Sequence, residues 1–362
     1  MTPPGQLIWR NHHRLDKQER LLLVAPPADD LAARLALEGF DPRALCLSYA
    51  AQEHMEAAGV KSTFGLAVPD AAPYTAPYPA VVLFQPRERA LLDMLLELCG
   101  SLMGPAGELW LVGENRAGIK SADKRLGDHF ARSAKLDSAR HCTLFSARVP
   151  KANRTFCLDD HVEAWPLELA GRSLTVSSLP GVFAHGRLDA GTLLLLQALT
   201  GPGREISISG RVLDFACGSG VIGLALAAAF ADADLTLLDD SALALESARR
   251  TFFENGIEAR LVASNGLSGL LRSGEVLFDW IVSNPPFHAG VRQETGIARR
   301  FLSDCRRLLR PRGQLCLVAN AHLPYGRWLA ELFDHVQVLA AGPGYNVWLA
   351  LGPIKANQTR TS

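Results

Sequence analysis

The chain has 362 residues, 48% of them hydrophobic and 20% charged, with 31 Gly and 21 Pro; this is an ordinary globular composition that excludes a disordered or fibrous protein. At this length one core rarely serves, and about two domains are expected. The 37 basic and 37 acidic residues cancel, so there is no global pull toward a polyanion and any nucleic acid must be held by local patches.

In chain order, the N-terminal half alternates apolar runs with helical patterns. Arg20 to Ala25 predicts a strand, Asp29 to Glu38 a helix, Ala80 to Phe84 a strand, Arg87 to Met103 a long amphipathic helix and Glu108 to Val112 a strand. Short apolar strands separated by helices imply βαβ units and a parallel sheet. The first strand runs into Pro26-Pro27, without the glycines that let a backbone approach a bound nucleoside. This half has the pattern of an α/β domain with no evident cofactor site.

A polar, mixed segment from Lys151 to Leu179 follows, and the domain boundary is placed near residue 165, giving domains at 1–165 and 166–362. The second half repeats the alternation: strands at Arg211–Asp214, Leu235–Asp239, Ala259–Val262, Phe278–Ser283 and Gln314–Val318, with helices at Val221–Ala231, Ala242–Asn255 and Thr295–Leu309. Five strands with helices between them make a doubly wound sheet, whose ligands bind at the carboxyl ends of the strands.

The distinctive motifs fall at those ends. After Asp214 comes Phe215-Ala216-Cys217-Gly218-Ser219-Gly220, where two glycines leave no side chain between a ligand and the backbone. A tight structural turn is the alternative for such a loop. A dinucleotide site is a second, but the carboxylate of Asp214 would repel a pyrophosphate, whereas it suits a ligand carrying an ammonium and a sulfonium. The next strand ends in Asp239, 19 residues after Gly220, placed to accept from both ribose hydroxyls. Asp240 competes for that role, and Asp240 or Ser241 also serves as a helix N-cap. Asn265, after the third strand, is either a contact for an adenine amino group or a turn residue before Gly266.

Asn284-Pro285-Pro286-Phe287 lies 70 residues after Asp214 and directly follows an apolar strand. Two prolines freeze the backbone and remove two donors, leaving an acceptor-rich corner. The side-chain carbonyl of Asn284 and the backbone carbonyl of Pro285 can both accept from one NH2 group while Phe287 stacks on its ring. No strong base is required, because an aniline-like nitrogen becomes acidic as it acquires a substituent. The alternative is an Asn-Pro-Pro turn with a core Phe. His288 is either a nearby proton acceptor and ring partner or a structural residue. The two motifs together point to methyl transfer from S-adenosylmethionine to an amino or amide nitrogen.

The seven cysteines, at 46, 99, 142, 157, 217, 305 and 316, form no C-x-x-C pair and no metal-ligand cluster, so neither a metal site nor a disulfide frame is expected. Met1 to Arg20 is polar and charged, and no uncharged apolar run reaches the roughly 20 residues of a membrane span. A monomeric cytoplasmic protein with reduced thiols is expected. Residues 116–154 carry ten Lys/Arg against three acids, and 299–312 carry six Arg against Asp304 alone. These runs are either a phosphate footprint, with Arg116 and Lys120 as candidate RNA contacts, or solvated faces.

The chain resembles the ribosomal RNA small subunit methyltransferase C family, guanine-N2 methyltransferases acting on 16S ribosomal RNA. The resemblance rests on residues 112–122, 136–142, 179–191, 283–290 and 318–325, and so spans both halves. It implies an α/β fold of two tandem Rossmann-like class I methyltransferase domains, the N-terminal one without a cofactor site and serving folding support and RNA docking. Carried over by position, Asp214, Ala216, Gly218 and Gly220 fall on the cofactor loop, Asp239 on the ribose acid, Asn265 on the adenine contact, Asn284, Pro285 and Phe287 on the catalytic clamp, and Pro286 and His288 beside the target base. The stretch from Gly181 to Gly191 resembles the family's lid, with Phe183 and Asp189 closing over the cofactor. One departure stands near the end, where Tyr345-Asn346-Val347-Trp348-Leu349-Ala350 lacks two positive charges of the family's phrase. The expected activity is methylation of guanine N2 in 16S ribosomal RNA; 23S guanine N2, adenine N6 and a protein glutamine amide are the alternative acceptors, and a non-catalytic RNA-binding assembly factor is the reading outside enzymology.

Overall fold

The computed structural model describes residues 1–17, 20–67, 78–151, 156–169, 171–203, 206–274, 277–286 and 292–354, with the backbone alone at 292–295. The chain forms two compact units, Met1–Val162 and Glu163–Ser362. Unit 1 runs α1 (Pro3–Asn11), β1 (Arg20–Val24), α2 (Leu31–Leu37), β2 (Asp41–Cys46), α3 (Tyr49–Ala57), β3 (Lys61–Phe64), β4 (Tyr78–Phe84), α4 (Arg89–Leu102), β5 (Met103–Glu114), α5 (Ala122–His129), β6 (Phe130–Ala139) and β7 (Cys142–Pro150). Unit 2 runs β8 (Glu163–Leu169), β9 (Arg172–Ser178), α6 (Ala190–Thr200), β10 (Gly210–Phe215), α7 (Val221–Ala229), β11 (Ala233–Asp239), α8 (Ala242–Glu254), β12 (Arg260–Ala263), α9 (Ser268–Ser273), β13 (Phe278–Ser283), α10 (Arg292–Leu308), β14 (Leu309–Asn320), α11 (Tyr325–Ala330), β15 (Phe333–Gly342) and β16 (Tyr345–Pro353).

Each unit holds a seven-stranded sheet, ordered β3-β2-β1-β4-β5-β7-β6 in the first and β12-β11-β10-β13-β14-β16-β15 in the second. The two Rossmann-like sheets are mixed: the first five strands of each order pair in parallel and the last two close it as an antiparallel hairpin. The central strands are continuously apolar because helices cover both faces, as Leu21–Val24 and Ile281–Val282 show by being at most 2% exposed. Sequence patterning found five strands in the second half, and the sheet has seven. β15 was missed because it is half exposed and its first half mixes Asp334, His335 and Gln337 with apolar residues, as befits an edge strand.

The polar segment before the second sheet contains the hairpin β8–β9. Among the described residues its outer edge pairs with no further strand. Instead, Ser247 and Thr251 of α8 and its C-cap Asn255, spaced four residues apart, bond the backbone of β9 and of the residue after it: Ser247 Oγ accepts from Leu179 N at 3.0 Å, Thr251 Oγ1 from Ser177 N at 3.0 Å and Asn255 Oδ1 from Thr175 N at 3.0 Å. A helix thus satisfies a strand edge that would otherwise be bare.

Candidate active site

In unit 2 the strand order reverses between β10 and β13, and a crevice forms where the loops leave in opposite directions. A cleft of about 290 Å³ occupies that place, bounded by Ala216–Ser219, Asp239, Asn284 and Pro286 on one side and by Val182, Phe183, Leu188 and Asp189 on the other.

The loop after β10 is wound tightly. Ala216 has φ 56 and Gly218 φ 55, left-handed backbone that strains a residue with a Cβ and suits glycine. A Cβ at Gly218 would meet only Val182 Cγ1, at 3.9 Å, so the space above this residue is open to a ligand. Gly220 has a different reason: a Cβ there would lie 3.2 Å from Ala248 and Phe252, and its absence lets α8 pack against the turn. Gly218 N donates to Asp239 Oδ2 at 2.9 Å, and Ser241 N donates to Oδ1 at 2.9 Å, so the end of β11 fixes the loop after β10. Burial raises the Asp239 carboxyl above the usual carboxylate range, with the backbone donors of Ser241 and Gly218 opposing it.

Asp214 stands behind this loop and not on the cleft wall. It is fully buried, its Oδ2 accepts from Gly223 N at 2.9 Å and its Oδ1 has no partner among the described residues. Burial lifts its pKa to about 7, against the pull of the Gly223 donor. Its visible contact therefore seats the start of α7 on β10.

The acceptor-rich corner follows β13. Ser283 Oγ donates to Phe215 O at 2.8 Å, pinning the end of β13 to β10. Asn284 Nδ2 then donates to Thr192 Oγ1 at 2.9 Å and to Asp189 Oδ2 at 3.2 Å. A carboxylate offers only acceptors, so the nitrogen of the amide must face Asp189 and the oxygen must face away from it. Both amide donors are thus engaged, and Asn284 Oδ1 has no bond among the described residues. Pro285 is buried, whereas Pro286 is exposed and lines the cleft. Phe287 and His288 lie outside the described residues.

The opposite wall is the segment between β9 and α6. Asp189 caps α6, accepting from Thr192 N at 3.0 Å, so one carboxylate orders both the helix start and the clamp amide. The segment is tied down by Ser178 Oγ, 2.8 Å from His185 Nδ1, by His185 Nε2, 3.1 Å from Glu163, and by Gly186 N, which donates to Ser178 Oγ at 3.1 Å. These three side chains have the order of a hydrolytic triad, but Ser178 is only 1% exposed and cannot reach a substrate, so they act as a tether. Val182 is buried while Phe183 is 55% exposed at the cleft rim.

Of the residues singled out from sequence, Ala216, Gly218, Asp239, Asn284 and Pro286 meet at one cleft. Asp214, Gly220 and Pro285 stand behind it. Asn265 is exposed beyond β12, and its carbonyl accepts from Ser268 Oγ at 2.7 Å. Arg116 and Lys120 belong to unit 1, both exposed, with Arg116 paired to Glu114. In the second basic run, Arg299 pairs with Glu331, Arg300 and Arg307 with Asp304, and Arg310 with Asp279, which spends four of its six charges inside the unit. Thr192, His185, Ser178 and Glu163 escaped the sequence reading. A polar residue three after an N-cap Asp is a signal that would have found Thr192.

Comparison with known proteins agrees with this geometry. Residues 173–349 match the family described as Methyltransferase small domain, and residues 5–165 match Methyltransferase small domain N-terminal. The ribosomal RNA small subunit methyltransferase C of Hahella chejuensis is 38% identical over 97% of this chain and 99% of its own length. The chain belongs to the ribosomal RNA small subunit methyltransferase C family. The Pseudomonas aeruginosa relative of the same name is 39% identical over 97% of this chain and 99% of its own. A solved T. thermophilus 16S rRNA N2 methyltransferase, in complex with AdoMet and guanosine, superimposes with a TM-score of 0.81 at 26% identity, covering 97% of this chain and 92% of that one. The family resemblance drawn from sequence motifs is thereby borne out, as is the pair of Rossmann-like sheets. In this chain, the segment matched as Methyltransferase small domain carries the whole cleft.

Proposed function

We propose that the protein transfers a methyl group from S-adenosylmethionine to the exocyclic N2 of a guanine in 16S ribosomal RNA. Membership of the family supports the reaction class, and the T. thermophilus relative solved with AdoMet and guanosine supports guanine over an adenine or a glutamine amide. The observation that carries the reading within this chain is the pinned amide of Asn284, whose donors are held by Thr192 and Asp189 and whose oxygen is left to accept.

The cleft suits the cofactor. The open space over Gly218, the left-handed turn at Ala216 and the Asp239 carboxylate offer backbone contact for the methionine end and an acceptor for a ribose. Asp214 and Gly220 hold that loop in place, and Asn265, just past the end of β12, meets the adenine edge. S-adenosylmethionine bound there supplies an electrophilic sulfonium methyl. The residues of the chain orient its acceptor: Asn284 Oδ1 and the Pro285 carbonyl take the two N–H bonds of the guanine amino group, which leaves the nitrogen lone pair directed at the methyl. Phe287 and Pro286 flank the ring of a base rotated out of its stack. As the N–C bond forms and the S–C bond breaks, the nitrogen becomes acidic and its extra proton passes to solvent, a transfer for which His288 is the candidate relay.

Unit 1 supports folding and docks RNA, with Arg116 and Lys120 among its phosphate contacts. The protein works as a monomer in the cytoplasm on the small ribosomal subunit, in keeping with its seven free thiols. The test is to incubate purified protein with 16S RNA and methyl-labelled S-adenosylmethionine and to digest the RNA to nucleosides. Label in N2-methylguanosine supports the reading. Label in another nucleoside, or no cofactor binding by calorimetry, sinks it.

A further inference from the structure

The two sheets share one strand order, so each position in unit 1 has a counterpart in unit 2. Val24 pairs with Leu45 and Leu83 where Phe215 pairs with Leu238 and Ser283. The next residue is left-handed in both, Ala25 with φ 52 and Ala216 with φ 56. By these registers Leu23 stands where unit 2 has Asp214, Cys46 where it has Asp239 and Phe84 where it has Asn284. Thr2 caps α1 as Asp189 caps α6, and Asp29 accepts from both its backbone N and its Oγ1 at 2.6 Å. The carboxylates and the amide of unit 2 are thus absent at these positions, and Pro26-Pro27 stands in place of the glycine turn.

The crevice itself has survived. A cleft of about 590 Å³ opens at the carboxyl ends of β1, β4 and β5, lined among others by Pro27, Phe84, Gln85, Arg87, Glu114 and Arg116. Its wall is largely apolar, and its rim carries Arg87 and Arg116 beside Glu114. Arg87 is exposed and makes no ion pair among the described residues, while Arg116, 80% exposed, is paired with Glu114 at the same rim. Gln85 occupies the position of Pro285. Its Nε2 donates to Ala117 O at 3.1 Å, and its Oε1 is buried with no partner among the described residues.

We infer that this second crevice holds an unpaired ribonucleotide of the substrate RNA, its base against Pro27 and Pro86 and its phosphates at Arg87 and Arg116. Proline surfaces accept any base face, and Arg binds phosphate oxygens in pairs. The inference rests on the reading that the substrate is RNA. The duplicated fold would thus have lost the cofactor half of one site and kept its acceptor half as a docking point. A base bound there orders the strand around the target and explains why a unit without cofactor contacts keeps an open cleft at the switch point.

The test uses the full chain and a 16S RNA transcript carrying 4-thiouridine, irradiated, digested and mapped by mass spectrometry. Adducts are expected on the peptides containing Phe84–Arg87 or Glu114–Arg116. The double variant Arg87→Glu/Arg116→Glu should lose those adducts and raise KM for RNA by roughly tenfold or more, with cofactor affinity and thermal unfolding unchanged. Loss of two phosphate contacts on a single strand should also flatten the salt dependence of binding by about 1.4 in log–log slope. Adducts confined to residues 163–362 or to lysines and arginines away from the cleft, with KM unmoved in the double variant, overturn the proposal. Crosslinking needs no turnover, so adducts in the cleft without any guanine methylation would refute the proposed reaction and leave this site standing.

Discussion

Thr192→Val isolates the hydrogen bond that orients the clamp. Thr192 is 6% exposed, and valine fills nearly the same volume, so the substitution removes one acceptor, 2.9 Å from Asn284 Nδ2, and little else. Asp189 remains as the second acceptor at 3.2 Å, and the backbone N of residue 192 still bonds the Asp189 cap. A buried N–H left without its partner costs roughly 1–3 kcal/mol. If about 1–2 kcal/mol of that appears as lost positioning of Asn284 Oδ1 in the transition state, kcat falls about 5- to 30-fold, at 1.36 kcal/mol per decade. The assay is steady-state methylation of 16S RNA alongside calorimetric cofactor binding. Turnover should fall while the cofactor Kd stays put, and Thr192→Ser, which restores the hydroxyl, should recover most of the rate. An unchanged kcat, or a cofactor affinity that falls in step with it, refutes the orientation argument.

Asn284→Ala should lower kcat by about a hundredfold or more while cofactor affinity is retained, read by single-turnover kinetics; an intact rate would remove the clamp from the chemistry. Gly218→Ala forces a Cβ onto a residue at φ 55 and into the open space of the cleft, so cofactor affinity should drop by more than tenfold with RNA affinity preserved in filter binding. Asp214 gives a pH dependence. Its folded pKa of about 7 exceeds the ordinary carboxyl value of 3.8, so between these values the folded protein binds more protons than the unfolded one, and stability of the cofactor-free protein falls as pH rises from about 4 through 7. The span is on the order of 4 kcal/mol as an upper bound, at 1.36 kcal/mol per unit. Chemical denaturation across that window should show the slope, and Asp214→Asn should flatten it; a parallel slope in the variant would assign the effect to other groups.

The central strands were legible because burial on both faces makes them unbroken apolar runs, and the turns at their carboxyl ends announce themselves with Gly218-Ser219-Gly220 and Asn284-Pro285-Pro286. What failed to show was whatever draws its stability from partners distant in sequence. β15 is an exposed edge, and β8–β9 is held by Ser247, Thr251 and Asn255, residues whose spacing means nothing until the hairpin lies beside α8. The site divides in the same way. Residues that touch the cleft through local turn chemistry were found, but Thr192 acts on a residue 92 positions away. Asp214 reads from sequence as a direct ligand contact, whereas its bond to Gly223 N places it one layer behind. The likeness of the two crevices emerges only from strand registers, since Leu23, Cys46 and Phe84 share no chemistry with their counterparts.

The most direct test of the account is mass mapping of 16S ribosomal RNA from cells lacking the gene. One guanine should lose a single methyl group on N2, and the wild-type gene should restore it while the Asn284→Ala form, made at equal level, should not. An unchanged methylation map, or restoration by the Asn284→Ala form, would contradict the assignment of the reaction to this clamp.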